Sequence, residues 1–381
     1  MNFEPYPFEK LTILLENIKP NKGYYPSVLT IGEPQFETPD FIQEALKNNT
    51  ALLKKYPKTT GETVLREAQR NFVAKRFNVS LNDTQIIPTF GTREVLFNFP
   101  QFLLFDKQNP VIAYTNPFYQ IYEGAAIATR AKVIHLNLSK KNNFKPEINE
   151  KELAQCDLVI LNFPNNPTTV TLSLEELGKW VQLALKHDFV LLNDECYSEI
   201  YTNKPIPSLL EAALHVNNDS FKNVLVINSI SKRSSAPGLR SGFIAGDATI
   251  LQEYMKYRTY IGCASPLPLQ YAAAAAWSDE EHVAKARAIY KENFRIAHEI
   301  LGTKIPDATF YLWLYVGNAL EFTKTLYKNY NVKVLPGEYL ARKDAKEENP
   351  GKGFIRIALV ENPQKTKEAL LRIKECLHEQ K

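Results

Sequence analysis

An α/β fold that closes with a smaller α+β domain is the architecture this chain predicts, and three observations predict it. Apolar runs at 158–163, 189–193 and 224–227 read as buried strands, and each breaks at its end into polar residues able to do chemistry. A series of that kind is how an α/β sheet gathers a site at the carboxyl edge of its strands. A stretch from Glu281 to Leu301, charged on one face and apolar on the other, reads as a long helix linking two domains, with β elements after it.

At 381 residues the chain can bury a sizeable core, and two domains are expected. A net charge of +4 is mild for that length, and no basic stripe or aromatic–basic module points to nucleic acid. Cys156, Cys196, Cys263 and Cys376 are scattered without a C-x-x-C pair, which fits reduced thiols rather than a disulfide framework. The start has no basic head or apolar signal core, and no run is long enough to span a bilayer. A cytoplasmic location without a membrane partner is therefore expected. The six histidines have no metal-ligand spacing, so no metal is expected.

Taken in order, Phe8, Leu11, Leu14, Leu15 and Ile18 mark an amphipathic helix ending near Pro20. Its polar face mixes charges of both signs, which suits packing on its own fold or on a partner subunit. Gly32 lets a backbone approach a ligand closely, unless it only makes the turn before Pro34. Thr38-Pro39-Asp40 is a start signal for a helix over 41–48. Residues 86–97 read as a short strand, a turn at Gly91 and a helix whose N-terminus is a ready phosphate seat. The strand at Val111 to Tyr114 leads to Phe118, Tyr119 and Tyr122. Each of these is either a flat partner for an aromatic ring or a core residue.

The strand ending at Phe163 runs into Asn165-Asn166-Pro167, by itself an ordinary turn. The strand ending at Asn193 runs into Asp194 and Tyr197. A carboxylate there pairs with a ring nitrogen or simply caps a helix. The third run carries the strongest signal. Beyond Ile227 come Ser229, Ser231, Lys232, Ser234 and Ser235, then Pro237-Gly238 and Arg240. A lysine among hydroxyls, with a guanidinium nearby, suits an imine-forming amine beside a phosphate site; the plain alternative is a serine-rich surface turn. Helices follow at 250–257 and 272–277, then strands at 310–315, 332–339 and 353–360, and a closing helix from Pro363. Arg356 stands in an otherwise apolar strand, where a guanidinium must find an anion: a substrate carboxylate or a buried salt-bridge partner.

Ser229-x-Ser231-Lys232 followed by Pro237-Gly238-Leu239-Arg240-x-Gly242 resembles the pyridoxal-phosphate (PLP) lysine motif of fold type I aminotransferases. The resemblance runs from Leu29 to Val360. It implies a mostly parallel central sheet sandwiched by helices, with a large domain at 41–280 and a small one built from 1–40 and 281–381. It implies PLP bonded to Lys232, with Asp194 at the ring nitrogen and Asn166 and Tyr197 at the ring oxygen. The phosphate falls to Ser229 and Arg240, with Ser231 in the same loop and N–H groups of Thr92 and Arg93 after Gly91. Tyr119 matches the stacking aromatic, and Gly32, Asn166 and Arg356 the substrate carboxylate pocket. Tyr56, in Tyr56-Pro57-Lys-Thr-Thr-Gly61, matches a tyrosine that reaches a partner's cofactor, so a homodimer is implied. Thr169 departs from the pattern, which usually has glycine there, and puts the shape of that turn in doubt.

Within the family the chain is similar to succinyldiaminopimelate aminotransferases, through segments 91–97, 116–126, 194–201, 231–242, 257–260 and 335–342. That implies a small-molecule amino donor and a 2-oxo acid: N-succinyl-LL-2,6-diaminopimelate and 2-oxoglutarate. An enzyme of the same type for aspartate or aromatic amino acids is one alternative. A PLP-dependent effector-sensing module of a transcription regulator is another. It needs an N-terminal DNA-binding domain, for which a pattern starting near residue 29 leaves no room.

Overall fold

The computed structural model describes residues 3–344 and 347–379. The helix Pro7–Leu15 and a short strand β1 (Ser27–Val28) open the chain. Seven strands then form the central sheet: β2 (Ile86–Thr89), β3 (Val111–Asn116), β4 (Lys132–Asn137), β5 (Leu158–Leu161), β6 (Val190–Asp194), β7 (Val224–Ser229) and β8 (Gly242–Gly246). Their order is β2-β8-β7-β6-β5-β3-β4. β8 runs antiparallel to both neighbours, and every other pairing is parallel.

The apolar runs are continuous because both faces of this sheet are covered. Along β5 to β7 the side chains alternate between two cores. Leu161, Leu191 and Val226 join Phe72, Trp180 and Trp277 on one face, while Ile160, Leu192 and Ile227 join Phe99, Tyr114 and Tyr254 on the other. The sequence reading passes over β4, and its burial explains why. It is an edge strand on which only Leu136 is buried, so it has no continuous apolar run.

The second layer comprises β9 (Tyr311–Tyr315), β10 (Val332–Lys333), β11 (Leu335–Pro336) and β12 (Phe354–Ala358). Its three-stranded sheet has the order β11-β12-β9, all antiparallel, and β10 pairs with β1. The strand expected over 332–339 is thus two short pairings and a 3₁₀ turn at Gly337–Leu340. The helix Glu281–Leu301 spans the expected residues, and its Phe294, Ile296 and Ala297 enter the core beneath this sheet. The N-terminal helix ends at Leu15, earlier than Pro20. It packs on its own chain, with Leu11 and Leu15 against Leu335 and Leu340. Among the described residues no helix is long and apolar enough to cross a membrane.

At the departure noted above, Thr169 itself takes the left-handed backbone, with φ of 68°. The turn is held by Thr169 N–H donating to Asn165 O at 2.9 Å and by Thr168 N–H donating to Asn165 Oδ1 at 3.0 Å. A β-branched residue there is strained by about 1–2 kcal/mol. Thr169→Gly is therefore expected to raise stability by about 1 kcal/mol once glycine's extra freedom in the unfolded chain is set against the relief. Chemical denaturation checks this, and a destabilised variant would show that the threonine side chain supports the turn.

Candidate active site

Five strands deliver side chains to one edge of the sheet. β2 ends just before Gly91 and the helix Thr92–Leu103; β3 leads to Phe118 and Tyr119; β5 leads to Asn162 and Asn166. Asp194 closes β6, and Ser229 closes β7 ahead of a single helical turn, Ile230–Arg233, that carries Lys232. Because β8 runs the other way, the residues before its start lie at this same edge. Gly242 is in register with both Thr89 and Ser229, which brings Arg240 beside them. Arg356 arrives from β12 in the other layer. A cavity of about 720 Å³ lies between the layers.

Lys232 Nζ donates to Gly32 O at 2.5 Å. Gly32 is required by close approach, since a Cβ there would collide with the Tyr311 hydroxyl. Across the cavity Asp194 is 5% exposed. Its carboxylate accepts from Tyr122 Oη–H at 3.0 Å and from Cys196 N–H at 3.2 Å, and among the described residues it has no ion pair. Burial pushes its pKa above the ordinary carboxylate range. Glu195, next in the chain, is used differently. It accepts from Leu209 N–H at 2.7 Å and Asn193 Nδ2 at 3.1 Å, anchoring the helix Leu209–His215, and burial raises it to about 7. Tyr197 Oη lies 3.0 Å from Tyr311 Oη, and burial, then Tyr311, lifts its pKa well above that of a free phenol.

The cations face other walls. Arg240 donates to Pro237 O at 2.7 Å and has no carboxylate within 4 Å among the described residues. Gly91 lies beneath it with φ of 74°, and a Cβ on Gly91 would run into the guanidinium. The Thr92 and Ser229 hydroxyls lie 3.3 and 3.7 Å from the Cys196 thiol, and Ser231 lines the same wall. Thr92 and Arg93 open their helix, so their N–H groups lack intrahelical acceptors. Arg356 is 4% exposed. It donates to Asn166 Oδ1 at 2.9 Å and Thr30 O at 2.5 Å and lies 4.5 Å over the Tyr311 ring, while its Nε has no partner among the described residues. Those partners are neutral, so the salt-bridge alternative for Arg356 is not realised among the described residues.

Of the three candidate stacking rings, Tyr122 is committed to Asp194 and Phe118 packs at 5.0 Å against Tyr114. Tyr119 lines the cavity half-buried. Tyr56 is fully exposed and lies outside this chain's cavity. Sequence reasoning missed Cys196, Tyr311 and Asn162, and it assigned Arg93 only a backbone role although its side chain lines the cavity. Asn162 donates to Asp194 O at 3.0 Å and accepts from Asn166 N–H at 3.0 Å, tying two strand ends together. Three asparagines after one strand, at 162, 165 and 166, were the available hint. Tyr311 had none, because a tyrosine in an apolar strand reads as core.

Residues 27–373 match the family described as aminotransferase class I and II. The chain belongs to the class I and II aminotransferases. It is 54% identical to aminotransferase AspB from Helicobacter pylori, covering 98% of this chain and 99% of that one with a TM-score of 0.95. An aminotransferase from Neisseria meningitidis is 39% identical over 97% of each chain, with a TM-score of 0.92. The LL-diaminopimelate aminotransferase of Maridesulfovibrio salexigens is 29% identical, over 97% of this chain and 96% of its own.

Class I and II aminotransferases depend on PLP, exchange an amino group between a donor and a 2-oxo acid, and are typically dimers. The cavity suits that cofactor. A buried acid without a cation and a guanidinium without an acid are the complement of a basic ring nitrogen and a dianionic phosphate. Gly91→Ala, which displaces Arg240, is expected to weaken PLP binding about tenfold or more. Absorbance titration of the apoprotein measures it, and unchanged affinity would remove Arg240 from the phosphate site.

Proposed function

We propose that this aminotransferase exchanges the amino group between N-succinyl-LL-2,6-diaminopimelate and 2-oxoglutarate, with glutamate as donor in the direction of lysine synthesis. The observation that carries the reading is charge. Arg93, Lys232, Arg240 and Arg356 line the cavity against Asp194 and Glu94, and Glu94 is already paired with Arg258. A surplus of positive charge suits a substrate with several carboxylates. The relative that acts on LL-diaminopimelate supports the substrate class. The aromatic walls at Phe97 and Phe118 favour the other reading, an enzyme for aromatic or short acidic amino acids.

In this reading residues 41–280 form the domain that holds PLP, and 1–40 with 281–381 form the smaller one that brings Gly32 and Arg356. Lys232 holds PLP covalently. Ser229, Ser231, Arg240 and the N–H groups of Thr92 and Arg93 hold its phosphate, and Tyr119 stacks on its ring. Bound there, PLP supplies an electron sink for negative charge at the substrate Cα. Asp194 keeps the proton on the ring nitrogen, and that cation in turn keeps the buried carboxyl ionised. Asn166 and Tyr197 donate to the ring oxygen. Released once the donor's amine has taken its place, the Lys232 amine would take the proton from Cα, help worth roughly 10²–10⁴-fold. Arg356 holds the α-carboxylate, replacing neutral oxygens with an anion. The enzyme acts in the cytoplasm as a homodimer. Four free thiols support the first, and the exposed Leu53, Tyr56 and Tyr260 support the second.

Mixing the PLP form with single donors and following its conversion to the pyridoxamine form isolates one half-reaction. The succinylated compound is expected to have the higher specificity constant, with aspartate and phenylalanine slow. Faster reaction of either would reject the substrate while leaving the chemistry intact. Asp194→Asn is expected to fold, bind PLP and lose most turnover, because an amide does not hold the ring proton. Near wild-type rates would remove Asp194 from the mechanism.

A further inference from the structure

Three guanidinium groups line the cavity without an acid partner among the described residues: Arg240, Arg356 and Arg93. Arginines nearby that serve the framework are neutralised. Arg258 pairs with Glu94, and Arg342 binds both oxygens of Glu123 at 2.7 and 2.6 Å. The phosphate and the α-carboxylate account for Arg240 and Arg356. Arg93 is left.

Arg93 is also in the wrong place for a helix. It stands in the first turn of Thr92–Leu103, where the helix dipole disfavours a cation. It is exposed at the cavity mouth, and its Nε donates to Tyr119 Oη at 2.7 Å. That bond fixes the direction of the fork and leaves the two Nη groups without a hydrogen bond to the described residues. Tyr119 supplies no charge in return, since burial keeps its phenol protonated.

We infer that Arg93 reads the distal carboxylate of a long α-amino dicarboxylic acid whose α-carboxylate is held by Arg356. The inference rests on the reading above and names the residue that carries its specificity. Arg356 is buried and Arg93 lies exposed in the lining of the same cavity, so a substrate whose α-carboxylate sits on Arg356 and whose chain extends toward the mouth has a second anion to offer there. The planar fork is suited to a carboxylate held by two parallel N–H donors.

The test uses matched donors on the PLP-loaded enzyme: 2-aminopimelate and 2-aminoheptanoate, the same seven-carbon chain with and without the distal carboxylate. Wild type is expected to prefer the dicarboxylate, chiefly through KM. Arg93→Gln is expected to reduce that preference about 10- to 100-fold, and Arg93→Lys to restore part of it. Calorimetric binding of pimelate against heptanoate is expected to lose the same ratio, which reads recognition apart from turnover. A wild type indifferent to the distal carboxylate, or an Arg93→Gln variant that keeps the preference, overturns the inference and leaves Arg93 as a support for Tyr119. If the preference depends on Arg93 but the succinylated substrate is not favoured, the pathway reading fails and the role of Arg93 stands.

Discussion

An ionised side chain taken out of water is costly unless an opposite charge meets it, and among the described residues Asp194, Arg240 and Arg356 form no ion pair around this cavity. Desolvation of the buried Asp194 and Arg356 costs several kcal/mol when they are left unpaired. The surroundings soften that cost with neutral dipoles. Asn166 and Thr30 offer oxygens to Arg356, Pro237 offers one to Arg240, and Tyr122 and Cys196 donate to Asp194. Framework charges are treated the opposite way, as closed pairs such as Arg76 with Glu199 at 2.7 Å and Arg233 with Glu280. The molecule thus separates charges that hold it together from charges that wait for a ligand.

The open charges stay in place because rigid strands set them. Asp194 and Ser229 are the last residues of neighbouring parallel strands, and their backbones are fixed by ladder bonds before any side chain is placed. The reversed strand β8 adds a second benefit. It delivers Arg240 from its start to the edge where its neighbours deliver residues from their ends. Cys196, small and weakly polar, lies between Thr92 and Ser229, with its thiol in hydrogen-bond contact with both hydroxyls.

Contacts between the layers complete the site. Arg356 from β12 reaches Asn166 after β5, and Tyr311 from β9 reaches Tyr197 after β6. A second tie lies at the end of β3, where Asn116 and Arg342 exchange hydrogen bonds, both at 2.9 Å. Leu340, two residues before that tie, lines the cavity and packs on the N-terminal helix. The substrate side of the cavity is therefore shaped by segments distant in sequence that meet over one sheet edge.

The sequence alone determined the buried strands, because a strand covered on both faces must be apolar at every position, and the long helix at 281–301, because its period is sustained over 21 residues. It also pointed to Lys232, Asp194, Asn166 and Arg356, since each is polar where an apolar strand ends or runs. The tertiary structure decided what pairing decides. The exposed edge strand β4 and the direction of β8 depend on neighbours, not on composition. Nothing local separates Asp194 from Glu195. One faces the cavity and the other anchors a helix because of partners 72 and 14 residues away, Tyr122 and Leu209. Arg93 read as a source of a backbone N–H alone until the fold set Tyr119 against its side chain and paired Glu94 and Glu123 with other arginines. Propensity and pattern act over a few residues; which charge is left open is a sum over the whole fold.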